Sequence, residues 1–402
     1  VLYCVPAASA KESMSTPAGI AYAELKERVD EYASKYIGTT TAGANVLIVK
    51  DGEIFFNTAY GFADVENQVN LTADTVFEWG SVTKLLVWTS VMQLVEQGKL
   101  KLDEDIRSYL PEGFLTKIRY DAPITMLNLM HHNAGWEEKF TDLFYMSAND
   151  IKPLEEMLHI TEPYQVHKPG SVVAYSNYGV ALAGFIVEQL AEQPFYDYVN
   201  KHIFSVLGMK DTTIHPTQED NTNVATKRDE IYGYIVNNDG EFTISKNERI
   251  YIGLYPAGSA IGTITDAAKF MLALMPADGA KSPLFQNNRT LDEMLTTSDF
   301  YDDGISRNAH GFWKGLYTVD VLEHAGNTDS FSSNFSFSKD ENMGVIVFTN
   351  QAGEAGLSYG LPTLIFGEYY NVEGKQPMQN AQELEGNYYM ARLPYKGFTK
   401  LY

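Results

Sequence analysis

Hydrophobic and polar positions follow two rhythms along this chain, and their order predicts its architecture. Leu25, Val29, Tyr32 and Tyr36 recur at helical spacing and predict an amphipathic helix within residues 21–36. Residues 44–50 and 53–62 read as strands flanking Asp51-Gly52, a dipeptide suited to the tight turn of a β-hairpin. The apolar stretch 85–95, followed by Gly98, predicts a buried helix with glycine near its C-cap. Helical periodicity returns over 181–190 and around Phe195-Tyr196-Asp197-Tyr198-Val199-Asn200. Sequence up to about 275 is mostly helical and loop-rich. Strand-like segments then resume at 312–321, 334–338 and 343–349, and a helix is expected over 357–370. This order predicts a sheet assembled from both ends of one domain, covered by helices, with a helical region inserted between. From about 379 the character changes again, and 373–402 reads as the start of a truncated C-terminal extension.

Three short motifs add chemistry: Ser81-Val82-Thr83-Lys84, Tyr175-Ser176-Asn177 and His324-Ala325-Gly326. Ser81 and Lys84 fall at the start of the buried helix, on one face and about one turn apart. Ser336-Phe337-Ser338-Lys339 has the same spacing but lies in a period-two segment, where Ser336 and Lys339 point to opposite faces. Tyr198 and Tyr369 repeat the Tyr-x-Asn pattern, but both read as packed aromatics of helices. Tyr175 instead follows Pro169-Gly170 and precedes a helix, which places it on a loop, where reactive groups concentrate. A serine hydroxyl needs a base to become a nucleophile. Lysine serves as that base only when burial or a helix N-terminus lowers its pKa. A phenol near a cation is a second proton carrier. The Ser81 N–H, at a helix start, and an N–H from a strand beginning at His324 are candidate donors to an oxyanion.

These motifs resemble the serine β-lactamase and penicillin-recognising family, in its class C-like branch. That branch includes class C β-lactamases, D-Ala-D-Ala carboxypeptidases, esterases and D-amino-acid peptidases. The class A form carries Ser-Asp-Asn and Lys-Thr-Gly as second and third motifs; here Tyr-Ser-Asn and His-Ala-Gly stand in those places. Phe77-Glu78-Trp79-Gly80, Ile124 through Gly135 and Pro256-Ala257-Gly258-Ser259 look like further family landmarks, and the likeness runs from about residue 20 to 370. The resemblance implies an α/β (α+β) β-lactamase/transpeptidase-like fold: an antiparallel sheet flanked by helices, with an inserted, mostly helical region, over residues 18–370. It implies Ser81 as nucleophile, Lys84 and Tyr175 as the proton-relay pair, and Asn177 orienting Lys84 and the acyl amide. His324 stands where β-lactamases usually carry lysine, and Gly326 completes that motif. The N–H groups of Ser81 and Asn327 would form the oxyanion site. Two departures weaken carboxylate recognition: Ala325 replaces a usual Thr or Ser, and Asp329 adds negative charge nearby. His324 is expected to make activity titrate near neutrality, as a lysine there would not.

Charge and composition narrow the partners. Thirty basic against 52 acidic residues give 30 − 52 = −22, with 45% hydrophobic residues. That charge opposes nucleic-acid binding and suits an acidic, soluble surface. No apolar run reaches the roughly 18 residues of a transmembrane helix. Residues 1–10 read as a signal-peptide remnant with Ala8-Ser9-Ala10 as cleavage site, which implies a secreted or extracytoplasmic protein. Cys4 is the only cysteine, so no intramolecular disulfide can form. Gly356-Leu357-Ser358-Tyr359-Gly360 matches a nucleophile elbow, but that fold needs a later histidine and the last is His324. His131-His132 offers a weak metal alternative, and Tyr232, Tyr234, His310 and Trp313 either line the cleft or pack in the core. The expectation is a secreted serine hydrolase forming an acyl-enzyme on Ser81 with a small-molecule or peptide ester or amide, D-amino-acid and cell-wall peptides included. It needs no metal or cofactor, and its oligomeric state is open. The alternatives are a β-lactamase, or a binding protein that either acylates and stalls as a penicillin-binding sensor or only holds cell-wall peptide.

Overall fold

The structure is a computed structural model that describes residues 15–139, 141–245, 249–277, 279–301, 304–369, 386 and 390–394. The expected signal-peptide remnant, and most of the expected C-terminal extension, lie outside the described residues.

Among the described residues, nine strands form the main sheet: β1 (Gly43–Lys50), β2 (Glu53–Asp64), β3 (Val69–Asn70), β4 (Asp299–Phe300), β5 (Ser306–Ala309), β6 (Phe312–Lys314), β7 (Leu322–Asn327), β8 (Ser332–Ser338) and β9 (Met343–Thr349). They lie side by side as β4-β5-β6-β7-β8-β9-β1-β2-β3, every pair antiparallel. The sheet is therefore built from both ends of the domain, as the patterning predicts. The β1–β2 hairpin turns at Asp51 and Gly52, whose φ angles of 52° and 83° suit the left-handed turn that favours this dipeptide.

Both faces of β1 are buried, because two helical layers sandwich it. Ala44, Val46 and Ile48 pack against α1 (Leu25–Ser34) and the late helix. Leu47 and Val49 join the larger core on the opposite side, with α2 (Lys84–Glu96), α3 (Asn177–Ala191) and α4 (Ile264–Leu274). The period-two alternation of a strand divides its side chains between the two cores. The late helix is α5 (Gly356–Phe366), and it stops four residues before the expected 370 because Gly367 takes a φ of 80°.

The expected strand over 312–321 breaks after Lys314; residues 315–321 form a connection, and the strand carrying His324 is a separate element, β7. Gly80–Thr83 form a turn of 3₁₀ helix leading into α2, with Trp79 at its N-cap, and the last turn of α2 closes at Gln97 and Gly98. No helix among the described residues is long and apolar enough to cross a membrane.

Candidate functional site

Ser81 is held where the helical region meets the sheet. The Trp79 carbonyl accepts a hydrogen bond from Ser333 Oγ on β8 (2.8 Å), and Thr83 Oγ accepts one from the Ala260 N–H (3.0 Å). These bonds tie the 3₁₀ turn to β8 and to the segment that carries Ala260. Two glycines permit the approach. A Cβ on Gly80 (φ 51°) would sit 2.8 Å from the Asn327 nitrogen, and one on Gly326 would sit 2.2 Å from the Trp79 oxygen and 2.9 Å from the Ser81 nitrogen. The amides of Ser81 and Asn327 are thus neighbours across the seam between turn and strand, the arrangement that an oxyanion site requires.

Lys84 is fully buried at the first residue of α2. Its Nζ lies 2.9 Å from Ser81 Oγ, 2.9 Å from Asn177 Oδ1 and 2.5 Å from the Ala257 carbonyl. Burial, then the charge of Arg392, push its pKa well down, while Glu138 opposes the shift. The contacts define how a neutral amine sits. The oxygens of Asn177 and Ala257 only accept, so they take its two N–H groups and leave the lone pair for the Ser81 hydroxyl. That is the geometry of a general base.

Tyr175 ends the loop before α3, whose N-cap is Ser176: its Oγ accepts from the Gly179 N–H. The Tyr175 ring stacks on His132 at 4.3 Å between centroids, and Lys84 Nζ lies 5.0 Å from the ring centre. Burial pushes the phenol pKa up; Ser81 and Arg392 pull it down without cancelling that effect. The resting phenol is protonated, a donor rather than a base.

His324 corrects the expected neutral-pH titration. It is buried within β7, and burial together with the Lys84 charge pushes its pKa down to about 3. Its Nδ1 donates to the Ala325 carbonyl at 2.7 Å, so Nε2 carries a lone pair and has no hydrogen-bond partner. His324 offers the cleft a neutral ring, not a cation.

Two adjoining recesses meet at Ser81, Asn177 and Asn327. Leu143 and Phe144 line both, and one adds Gly80, Ile252, Ala257 and Gly258. The other holds Tyr175, Trp313, Glu323, His324, Tyr359 and Arg392. Trp313 does line the cleft. Tyr234 is buried with its hydroxyl accepting from the Val65 N–H, and His310 is buried beside Ser298.

The rival motifs are accounted for locally. Ser336 is buried, donating to Glu323 and Asn334, and Ser358 lies inside α5 donating to Glu354 (2.7 Å). Tyr198 is buried in a helix, whereas Tyr369 is exposed beyond the end of α5. His131 pairs with Ser298 Oγ, and His132 accepts from the Ser176 N–H. Among the described residues no group of three or more His, Cys, Asp or Glu is placed to hold a metal. Sequence reasoning missed Glu138 and Arg392. Neither belongs to a motif, and they are 254 positions apart, joined by a 2.6 Å contact from Arg392 Nε to Glu138 Oε2.

A family model described as Beta-lactamase matches residues 29–366. The Protein flp of Staphylococcus aureus (strain MW2) is 27% identical over 318 residues, which cover 78% of this chain and 60% of that protein. The chain thus spans about three-fifths of the length of this curated relative. The fold matches the octameric penicillin-binding protein homologue from Pyrococcus abyssi with a TM-score of 0.68 and 20% identity, over 86% of this chain and 78% of that one. It matches D-amino acid amidase from Ochrobactrum anthropi SV3 with a TM-score of 0.67 and 24% identity, over 85% of this chain and 95% of that one. With the family model covering most of its length, the chain belongs to the beta-lactamase family.

Proposed function

We propose that this protein hydrolyses an ester or amide through an acyl-enzyme on Ser81. The observation that carries the reading is the buried Lys84 amine, whose two acceptor-only neighbours turn its lone pair toward Ser81 Oγ. Lys84 takes the Ser81 proton as Oγ attacks the acyl carbon. The N–H groups of Ser81 and Asn327 hold the oxyanion that forms. When the bond to the leaving group breaks, the Tyr175 hydroxyl supplies the proton that the leaving atom needs, and the proton held by Lys84 restores the phenol. Water then releases the acid and regenerates Ser81. Asn177 keeps Lys84 oriented, and the recess beside Ile252 and Gly258 accepts the acyl substituent.

The substrate class is a small ester or a peptide amide, D-amino-acid and cell-wall peptides included. The similarity of fold to a D-amino acid amidase supports that range. We place the protein outside the cytoplasm, at the cell envelope or secreted, because residues 1–10 have the composition of a signal-peptide end.

The test is intact mass after incubation with a fluorophosphonate and, separately, with a penicillin. An adduct that maps to Ser81, disappears in Ser81→Ala and persists in Ser336→Ala and Ser358→Ala is expected from the fluorophosphonate. A stable penicillin adduct without turnover would favour the sensor, and rapid penicillin turnover a β-lactamase. Mapping of the fluorophosphonate adduct to another serine refutes the assignment.

A further inference from the structure

Arg392 reaches the cleft from sequence beyond residue 366, where the matched family region ends. Its guanidinium carbon lies 4.8 Å from the centre of the Tyr175 ring, and its Nε bonds to the buried carboxylate of Glu138 at 2.6 Å. It lines the same recess as Ser81, Tyr175 and His324. The Tyr175 ring therefore has the Lys84 amine near it from α2, at 5.0 Å, and a cation from the C-terminal segment. The other ionisable neighbours are His132, stacked on the ring, His324 on β7, Tyr359 on α5 and the Glu138 carboxylate.

We infer that Arg392 is a positioning residue for the proton delivery by Tyr175: its guanidinium, tethered by Glu138, stabilises the phenolate that exists while the leaving group departs. The inference rests on the reading of Ser81, Lys84 and Tyr175 as the acylation machinery. The proton balance is closed. Ser81 loses a proton to Lys84, Tyr175 gives one to the leaving oxygen or nitrogen as its bond to carbon breaks, and Lys84 returns one to Tyr175. Negative charge resides on the phenol oxygen only between the last two events. A cation near the ring lowers the energy of that interval. The direction of its influence agrees: the Arg392 charge favours the ionised phenol, and Glu138 opposes it. Glu138 is thus a tether that tempers the cation it holds.

The role makes a selective demand. A poor leaving group, such as an alkoxide or amine, needs its proton as it departs; p-nitrophenolate does not. The experiment compares kcat/KM, which reports the steps through acylation, for the p-nitrophenyl and ethyl esters of one neutral apolar acid. Arg392→Met should reduce turnover of the ethyl ester about tenfold more than that of the p-nitrophenyl ester, the scale of a partly screened charge near 5 Å. Arg392→Lys should recover most of the difference. Equal losses on both esters overturn the inference. So does a loss expressed as a raised KM confined to carboxylate-bearing substrates, which would make Arg392 a grip for the substrate anion. Fluorophosphonate labelling separates this failure from that of the underlying reading. If Ser81 is labelled in both proteins and the ratio is unchanged, only the role of Arg392 falls; if Ser81 is not labelled in the wild type, the acylation reading falls with it.

Discussion

Gly326→Ala tests whether the seam between β7 and the Ser81 turn forms the oxyanion site. The added methyl would lie 2.2 Å from the Trp79 carbonyl oxygen, 2.4 Å from Ser333 Oγ and 2.9 Å from the Ser81 nitrogen, against 3.4 Å or more for ordinary contact. Ser333 can rotate away, but the two backbone atoms cannot, since Trp79 is held through its N–H to the Ala260 carbonyl and the turn through Thr83 Oγ to the Ala260 N–H. Relief therefore requires β7 and the turn to part by about 1 Å. A misplacement of that size costs on the order of 10²-fold in rate, and losing one oxyanion donor costs about 10²–10³-fold. Overpacking of this kind typically removes about 1–3 kcal/mol of stability, which leaves a folded protein if the parent is of ordinary stability. The assay is single-turnover acylation by a p-nitrophenyl ester alongside thermal unfolding. The expected result is a folded variant with acylation slowed by about 10²-fold or more, while the weak binding of a neutral substrate is little changed. A folded variant acylating within about threefold of wild type would refute an oxyanion site at this seam.

Lys84→Ala and Tyr175→Phe should each lower kcat by at least about 10²-fold, and the double variant should lose far less than the product of the two, because both residues serve one proton path; stopped-flow acylation that shows multiplicative losses contradicts the shared relay. His324→Gln should leave the acid limb of kcat/KM in place between about pH 5 and 8, because wild-type His324, pushed down to about 3, is already neutral throughout that range; a limb near pH 6.5 that vanishes in the variant would restore His324 as a titrating cation.

The sheet and the pairing of Ser81 with Lys84 were legible in the sequence because each is specified locally. The Asp51-Gly52 turn, the apolar run after Ser81 and the alternation in 334–338 and 343–349 need no distant partner to be read. The end of the late helix was misread because apolar periodicity continues past Gly367, and only its positive φ shows the stop. The segment 312–321 looked like one strand since alternation survives a loop whose Tyr317 and Val321 are both buried. Glu138 and Arg392 were invisible for a different reason. Their function depends on a meeting between remote segments, and neither segment has a pattern that announces it. The acid–base character of His324 was likewise out of reach, since residue type fixes only the reference pKa and burial decides the rest.

That last point bears on how the site manages its charge. Lys84 lowers the proton affinity of both His132 and His324, His324 lowers that of His132, and burial pushes all three down. Taking up the Ser81 proton makes Lys84 a cation inside this cluster, so acylation is easier when its neighbours are neutral. His132 meets that condition by accepting from the Ser176 N–H, and His324 by donating Nδ1 to its neighbouring carbonyl. A lysine at 324 would place a second ammonium against the first, and the two could not both be protonated at low cost in a buried site. Histidine there keeps a polar ring in the cleft without a competing cation. The permanent charge is supplied instead by Arg392, which stands over Tyr175 rather than within the Lys84 hydrogen-bond set and carries its own carboxylate, Glu138. The separation assigns the two proton carriers to different fields: Lys84 to a neutral cage that lets it take up a proton, and Tyr175 to a cation that lets it give one up.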